Sequence, residues 1–145
     1  MKKWFKSLAC LVIMCFVFTP AAFAADNSES NFRQITPFYI GINYLYAGIK
    51  IDSSGLATCS GLVTLSDSSY STDLLAELQK WNSSSQSYET IKFWTNSGSG
   101  YSGASIQKNW YVIRGKYCVK TTAKVYNSSG KLIDNASACS SEWTY

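Results

Sequence analysis

Two short segments constrain this chain more than any others: Asp52-Ser-Ser-Gly55 and Asn127-Ser-Ser-Gly130. Each sits between two runs in which apolar and polar residues alternate. An Asp or Asn suits the first position of a type I turn, and a Gly takes the left-handed position after it. Each segment is therefore a three-residue hairpin loop, and a hairpin loop sets register. Across the first, paired residue numbers sum to 108, so Ile51 faces Ala57 and Ile49 faces Cys59. Apolar meets apolar, which supports the pairing. Across the second the sum is 258, so Val125 meets Ile133 and Val119 meets Cys139.

The rest of the described pattern is β as well. Aromatic and β-branched residues come in short runs divided by Ser, Asn and Gly clusters. Tyr44–Ile51 reads as strand A and Leu56–Leu65 as strand B. Asp73–Trp81 fits a helical face through Leu74, Leu75, Leu78 and Trp81, with Asp73 as a cap. A strand is the better reading, because its flanks are β and a hairpin to Tyr88–Thr95 follows. Asn96–Ser105 reads as a flexible loop, Ile106–Ile113 as strand E, and Arg114-Gly115 as a corner into strand F. In F, Tyr117, Val119, Thr121, Ala123 and Val125 form one face. Cys118, Lys120, Thr122, Lys124 and Tyr126 form the other, and its lysines mark it as outer. The fold class is all-β: an immunoglobulin-like antiparallel β-sandwich of six to seven strands.

The N-terminus is not part of that fold. Lys2, Lys3 and Lys6 precede an apolar run, Leu8–Phe18, too short to span a bilayer, and Ala22-Phe23-Ala24 is a small-x-small cleavage site. Residues 1–24 read as a secretory signal peptide, 25–34 as a loose lead-in and 35–145 as the sandwich domain. Of 13 basic residues three leave with the signal, so ten remain against nine acids, a mature charge of +1. That removes the electrostatic motive for a nucleic-acid partner, and no membrane insertion is expected after cleavage. The mature chain is expected to be secreted or loosely associated with the cell surface.

Three cysteines survive cleavage: Cys59, Cys118 and Cys139. An exported chain permits a disulfide. Cys59 points inward by its neighbours and Cys118 outward beside Lys120. Cys139 points inward if strand G is regular, which favours Cys59–Cys139. A bulge at Asp134-Asn135 would turn Cys139 outward and favour Cys118–Cys139 instead. The immunoglobulin-type pair, Cys59–Cys118, needs side chains on opposite sides of a sheet and ranks last. A buried, unbridged thiol is the remaining option.

Several short motifs carry a family likeness. Gly55-x-Ala57 stands on strand B, Leu78-Gln79 precedes Trp81, Gly115-x-Tyr117 opens strand F, and Asp134 stands on G. Over about 100 residues the chain resembles a family of small secreted proteins from Gram-positive gut anaerobes. Tyr88 stands where Trp is usual there, and Cys118 where Arg is usual. The resemblance implies an immunoglobulin-like sandwich of unknown function and supplies no active site.

The chain holds no His, which removes Ser-His-Asp, Cys-His and His-ligated metal chemistry together. Ser105-Ile-Gln-Lys108 and Ser128-Ser-Gly-Lys131 spell S-x-x-K, but one enters a strand and the other is a turn. The acids are scattered, with no pair spaced for glycoside hydrolysis. No calcium loop is present. No cofactor and no enzymatic activity are expected. Asn82, Asn127 and Asn135 lie in N-x-S sequons. A Lys–Asn amide crosslink between Lys50 and Asn135, aided by Glu77, is conceivable by strand position, although alternation turns Lys50 outward.

The aromatic residues remain. After cleavage the chain keeps four Trp, ten Tyr and three Phe, more than one small core needs. Trp81, Tyr88, Trp94 and Trp110 gather around the central strands and form the candidate binding face. The expectation is a secreted, non-enzymatic module that binds a protein or glycan partner through that face. The alternative is a structural cell-surface protein with no specific ligand.

Overall fold

A computed structural model describes residues 39–145, so the signal peptide, the lead-in and the first residues of the sandwich lie outside the described residues. Eight strands follow: β1 (Ile42–Ile51), β2 (Leu56–Leu65), β3 (Ser71–Asn82), β4 (Ser87–Ser99), β5 (Ala104–Tyr111), β6 (Lys116–Tyr126), β7 (Leu132–Cys139) and β8 (Trp143–Thr144). A three-stranded sheet runs β1-β2-β5, and a five-stranded sheet runs β4-β3-β6-β7 with β8 pairing β6. All pairings are antiparallel. With β1 to β7 as A, B, C, C′, E, F and G, this is the A-B-E and C′-C-F-G division of an immunoglobulin-like sandwich.

The ambiguous segment is a strand. Thr72, Leu74, Ala76 and Leu78 are buried in alternation along β3, a period of two that no helix satisfies. The loop expected over Asn96–Ser105 is shorter than its composition suggests. Asn96 and Ser97 continue β4, because the Ser97 hydroxyl donates to Asp73 Oδ1 (2.8 Å) and the Asn96 amide donates to the Ser105 carbonyl (2.8 Å). The turn is only Gly100–Gly103. Gly103 sits at φ +59° with the Val63 carbonyl 2.1 Å from where a Cβ would be, so only Gly fits.

The first hairpin has the register its loop predicts: Ile51 faces Ala57 and Ile49 faces Cys59. Asp52 Oδ1 accepts from the Ser54 amide and hydroxyl and from the Leu56 amide. The Ser54 hydroxyl and then the Leu56 amide hold that carboxyl below its ordinary range. Asn127 repeats the device with Ser129 and Lys131. The second register departs from expectation. Tyr126 faces Leu132, but Val125 faces Asp134, so Ile133 is an extra residue in β7. The bulge gives Asp134 an inward aim, and its Oδ2 accepts from the Gly41 amide at 2.5 Å, across to the start of β1.

The core lies between the sheets. Leu45, Ala57, Cys59, Val63 and Leu65 from the smaller sheet meet Leu74, Ala76, Leu78, Val119, Ala123 and Val125 from the larger one. Gly61 leaves room for Thr121: a Cβ there would meet Thr121 Oγ1 at 3.0 Å. Tyr117 is the largest fully buried side chain, 1% exposed. Its hydroxyl donates to the Ile113 carbonyl at 2.7 Å, four residues upstream. That is the tyrosine corner of the immunoglobulin-like fold, fastening the crossing from β5 to β6. The C-terminus braces the same corner through paired Gly115–Tyr145 backbone bonds of 3.0 and 2.9 Å.

Replacing Tyr117 by Phe removes one hydrogen bond and little packing. It is expected to lower unfolding free energy by about 1 kcal/mol, whereas Tyr117→Ala should cost about 3–5 kcal/mol by emptying the site. Urea titration of both variants measures this. A Tyr117→Phe protein as stable as its parent would show that the hydroxyl bond contributes nothing.

Candidate functional surface

In antiparallel pairs, directly opposite residues share a face, so the pairing of β3 defines two surfaces. The inner one is core. The outer one carries Asp73, Leu75, Glu77, Gln79 and Trp81 down the middle. Beside them on β6 stand Lys124, Thr122, Lys120 and Cys118, in that order. On β4 stand Ser97, Thr95, Phe93, Thr90 and Tyr88. The register slips between Leu78 and Gln79, leaving Ile91 as a bulge. This slip decides where the aromatics go. Regular alternation would put Tyr88 on one face with Trp94. The bulge puts Tyr88 outside, with Phe93 and Trp81, and turns Lys92 and Trp94 inward opposite Leu78 and Ala76.

The four candidate aromatics therefore do not form one patch. Trp81, 37% exposed, and Tyr88 meet edge to face on the outer surface, ring centres 5.2 Å apart at 66°. Trp94 packs against the core from the side. Trp110 belongs to the other sheet, opposite Ala57, and Lys92 Nζ lies 4.4 Å from its ring centre. With the Asn96–Ser105 bond, this cation–π contact closes the seam between edge strands β4 and β5. Trp94 and Trp110 thus line a seam between the sheets, on a different side of the molecule from Trp81 and Tyr88. The reasoning from sequence missed Phe93, 62% exposed on the outer face. Its signal was its position opposite Glu77, hidden by the bulge. It also missed Tyr44 and Tyr46, whose rings are near parallel (9°) with centres 6.4 Å apart on the outer side of β1.

The outer surface is knit together by polar bonds. Gln79 Nε2 donates to Thr90 Oγ1 (3.3 Å), and the Thr90 hydroxyl donates to Glu77 Oε1 (2.9 Å). Glu142, in the segment after β7, accepts a 2.5 Å bond from the Tyr88 hydroxyl and pairs with Lys116 Nζ at 3.1 Å. Those two partners, Tyr88 first, hold the Glu142 carboxyl below its usual range. Partial burial, then the bond to Glu142, pushes the Tyr88 phenol well up. At the far end of the face lies a shallow trough of about 400 Å³, lined by Asp73, Leu75, Thr95, Thr122, Lys124 and Tyr126.

The facing of Cys139 differs from that of a regular β7. All three are free. The Cys59–Cys139 bridge assumed a regular β7, but the Ile133 bulge shifts the pairing so that Cys139 faces Lys120. Cys139 is therefore exposed on the outer face, while Cys59 is fully buried in the core. Cys118 shares the outer face but is only a diagonal neighbour of Cys139. The outward turn of Cys139 thus brings it to the face of Cys118, the alternative partner, and the two thiols are unbridged. Cys118 points out as expected, yet it is only 6% exposed, and its thiol donates to Gln79 Oε1 at 3.7 Å. Burial raises the Cys59 pKa to about 11, and burial, then Cys139 and Glu142, does the same for Cys118. The Lys–Asn crosslink is also excluded by geometry. Lys50, opposite Thr58, is exposed on the smaller sheet. Asn135, opposite Lys124, and Glu77, opposite Lys120, lie on the outer face of the larger sheet.

Among the described residues, no group of three or more His, Cys, Asp or Glu is placed to hold a metal ion, and no helix is long and apolar enough to cross a membrane. Compared with known proteins, the chain matches no family model and no curated protein.

Residues 25–145, folded and without reductant, are expected to show one thiol that reacts promptly with a disulfide reagent near neutral pH, Cys139. Two more should react only on unfolding, since the reactive form is the thiolate and Cys59 and Cys118 are both buried and uncharged. Fewer than three thiols in the denatured, unreduced protein would reveal a bridge and overturn this assignment.

Proposed function

We propose that this chain is an exported, non-enzymatic module that docks a protein or glycan partner through the outer face of its five-stranded sheet. The observation that carries the reading is the exposure of Trp81 and Phe93, with half-buried Tyr88 beside them, on one sheet face that also carries an open trough. Aromatic side chains give large contact area at small entropic cost, and monomeric proteins seldom leave several together without use. The signal-peptide reading of residues 1–24 supports a face that works outside the cell. The network through Gln79, Thr90 and Glu77 holds the face in one arrangement before any partner arrives, which lowers the ordering cost of binding.

The exported form, residues 25–145, is to be screened against glycan and protein arrays beside a Phe93→Ala variant. The expected result is at least one partner that the parent binds and the variant binds about tenfold more weakly. Folded protein that binds nothing at high micromolar concentration defeats the proposal and leaves the structural, ligand-free alternative.

A further inference from the structure

Resting on the docking surface just described, we infer that its partner is a linear, uncharged polysaccharide lying along β3. The first support is charge. The outer face carries three carboxylates, Asp73, Glu77 and Glu142, and three lysines, Lys116, Lys120 and Lys124. Asp73 stands directly opposite Lys124, and Glu77 directly opposite Lys120. Glu142 pairs with Lys116 at 3.1 Å. The face is neutral in sum and neutral pair by pair, so it offers no field to attract or orient a charged chain. A neutral surface complements a neutral ligand.

The second support is where the polar groups lie. The centre of a protein–protein interface is depleted of charge and filled with apolar side chains. Here the centre is the reverse: Glu77 and Lys120 stand between Phe93 and Cys139, and the next row is Thr95, Leu75, Thr122 and Ser137. Aromatic rings are spaced along the face: Trp81 and Tyr88 at one end, Phe93 in the Glu77 row and Tyr126 in the trough. Hydroxyls, an amide and carboxylates in the middle, with rings beside them, match a sugar chain. Its C–H faces rest on the rings, and its hydroxyls bond to planar polar side chains.

The third support is shape. The trough opens beside Asp73 and Thr122, and Trp81 and Tyr88 stand at the other end. From Asp73 to Trp81 the strand runs about 26 Å at the usual rise per residue. Phe93, opposite Glu77, stands exposed beside the middle of that path. An extended chain fits such a surface better than a compact ligand, which would need an enclosing pocket.

Affinity electrophoresis and calorimetry of the exported protein provide the test. The probes are neutral polymers (mixed-linkage glucan, xylan, mannan) and charged ones (polygalacturonate, heparin). At least one neutral polymer should bind. Its affinity should hold when ionic strength rises from about 0.1 M to about 1 M, which cuts the Debye length from ~10 Å to ~3 Å. Trp81→Ala at one end and Thr122→Arg in the trough should each weaken binding about tenfold, with unfolding transitions near that of the parent. Loss at one end alone would overturn an extended site along β3. Binding only of a charged polymer, lost at high salt, or only of a protein, would overturn the polysaccharide while leaving the docking face standing. Binding of nothing would overturn both.

Discussion

Strand phase is the constraint on which the rest of this molecule depends. A side chain in a sheet has two choices, core or solvent, and one inserted residue reverses the choice for everything beyond it. This sandwich inserts such residues at Ile91 and Ile133. The first separates Tyr88 from Trp94 and sends one outward and the other toward the core. The second turns Cys139 out to solvent and gives Asp134 its aim at Gly41. The aromatic surface, the free thiols and one of the seams all follow from these two phase changes.

The seams matter because a sandwich has open sides where two sheets meet without pairing. Each side is closed by a few specific bonds. On one side the Lys92 ammonium lies against Trp110 and the Asn96 amide reaches Ser105. On the other, Asp134 accepts from Gly41 over 93 residues of sequence. At one end the Tyr117 hydroxyl and the paired Gly115 and Tyr145 backbones hold the crossing between sheets. Closing the sides with polar and cationic groups leaves the aromatic residues of the outer face uncommitted. Trp94 and Trp110 serve in a seam; Trp81, Tyr88 and Phe93 do not.

What the sequence made legible follows the same division. Alternation and the two D/N-S-S-G loops were enough for the fold class, the first hairpin register and the inward face of β6, because local turn chemistry fixes those. Tyr117 and Gly115 marked the corner correctly for the same reason. The grouping of Trp81, Tyr88, Trp94 and Trp110 failed because no residue near Ile91 announces a bulge; only pairing with β3 reveals it. Cys139 failed likewise. The bulge stands at Ile133, one residue before Asp134-Asn135, and neither position carries a Gly or Pro to signal it. Phe93 was invisible for want of the phase that the bulge sets.

The C-terminal segment ties the fold to the candidate surface. Glu142 belongs to the stretch between β7 and β8, yet it holds the Tyr88 phenol on the opposite edge strand and so sets Tyr88 edge-on against Trp81. Its folded pKa lies below the ordinary carboxylate value. A depressed pKa contributes stability that is present above the unfolded value and is lost as pH falls through the folded one. The clasp therefore stays closed through neutral and mildly acidic solution and opens only below the usual carboxylate range. Both partners of Glu142 favour this. Lys116 is a cation, and the Tyr88 hydroxyl, its own pKa raised, remains a donor through neutral and mildly acidic solution. The geometry of the rings is thus insulated from pH through neutral and mildly acidic solution.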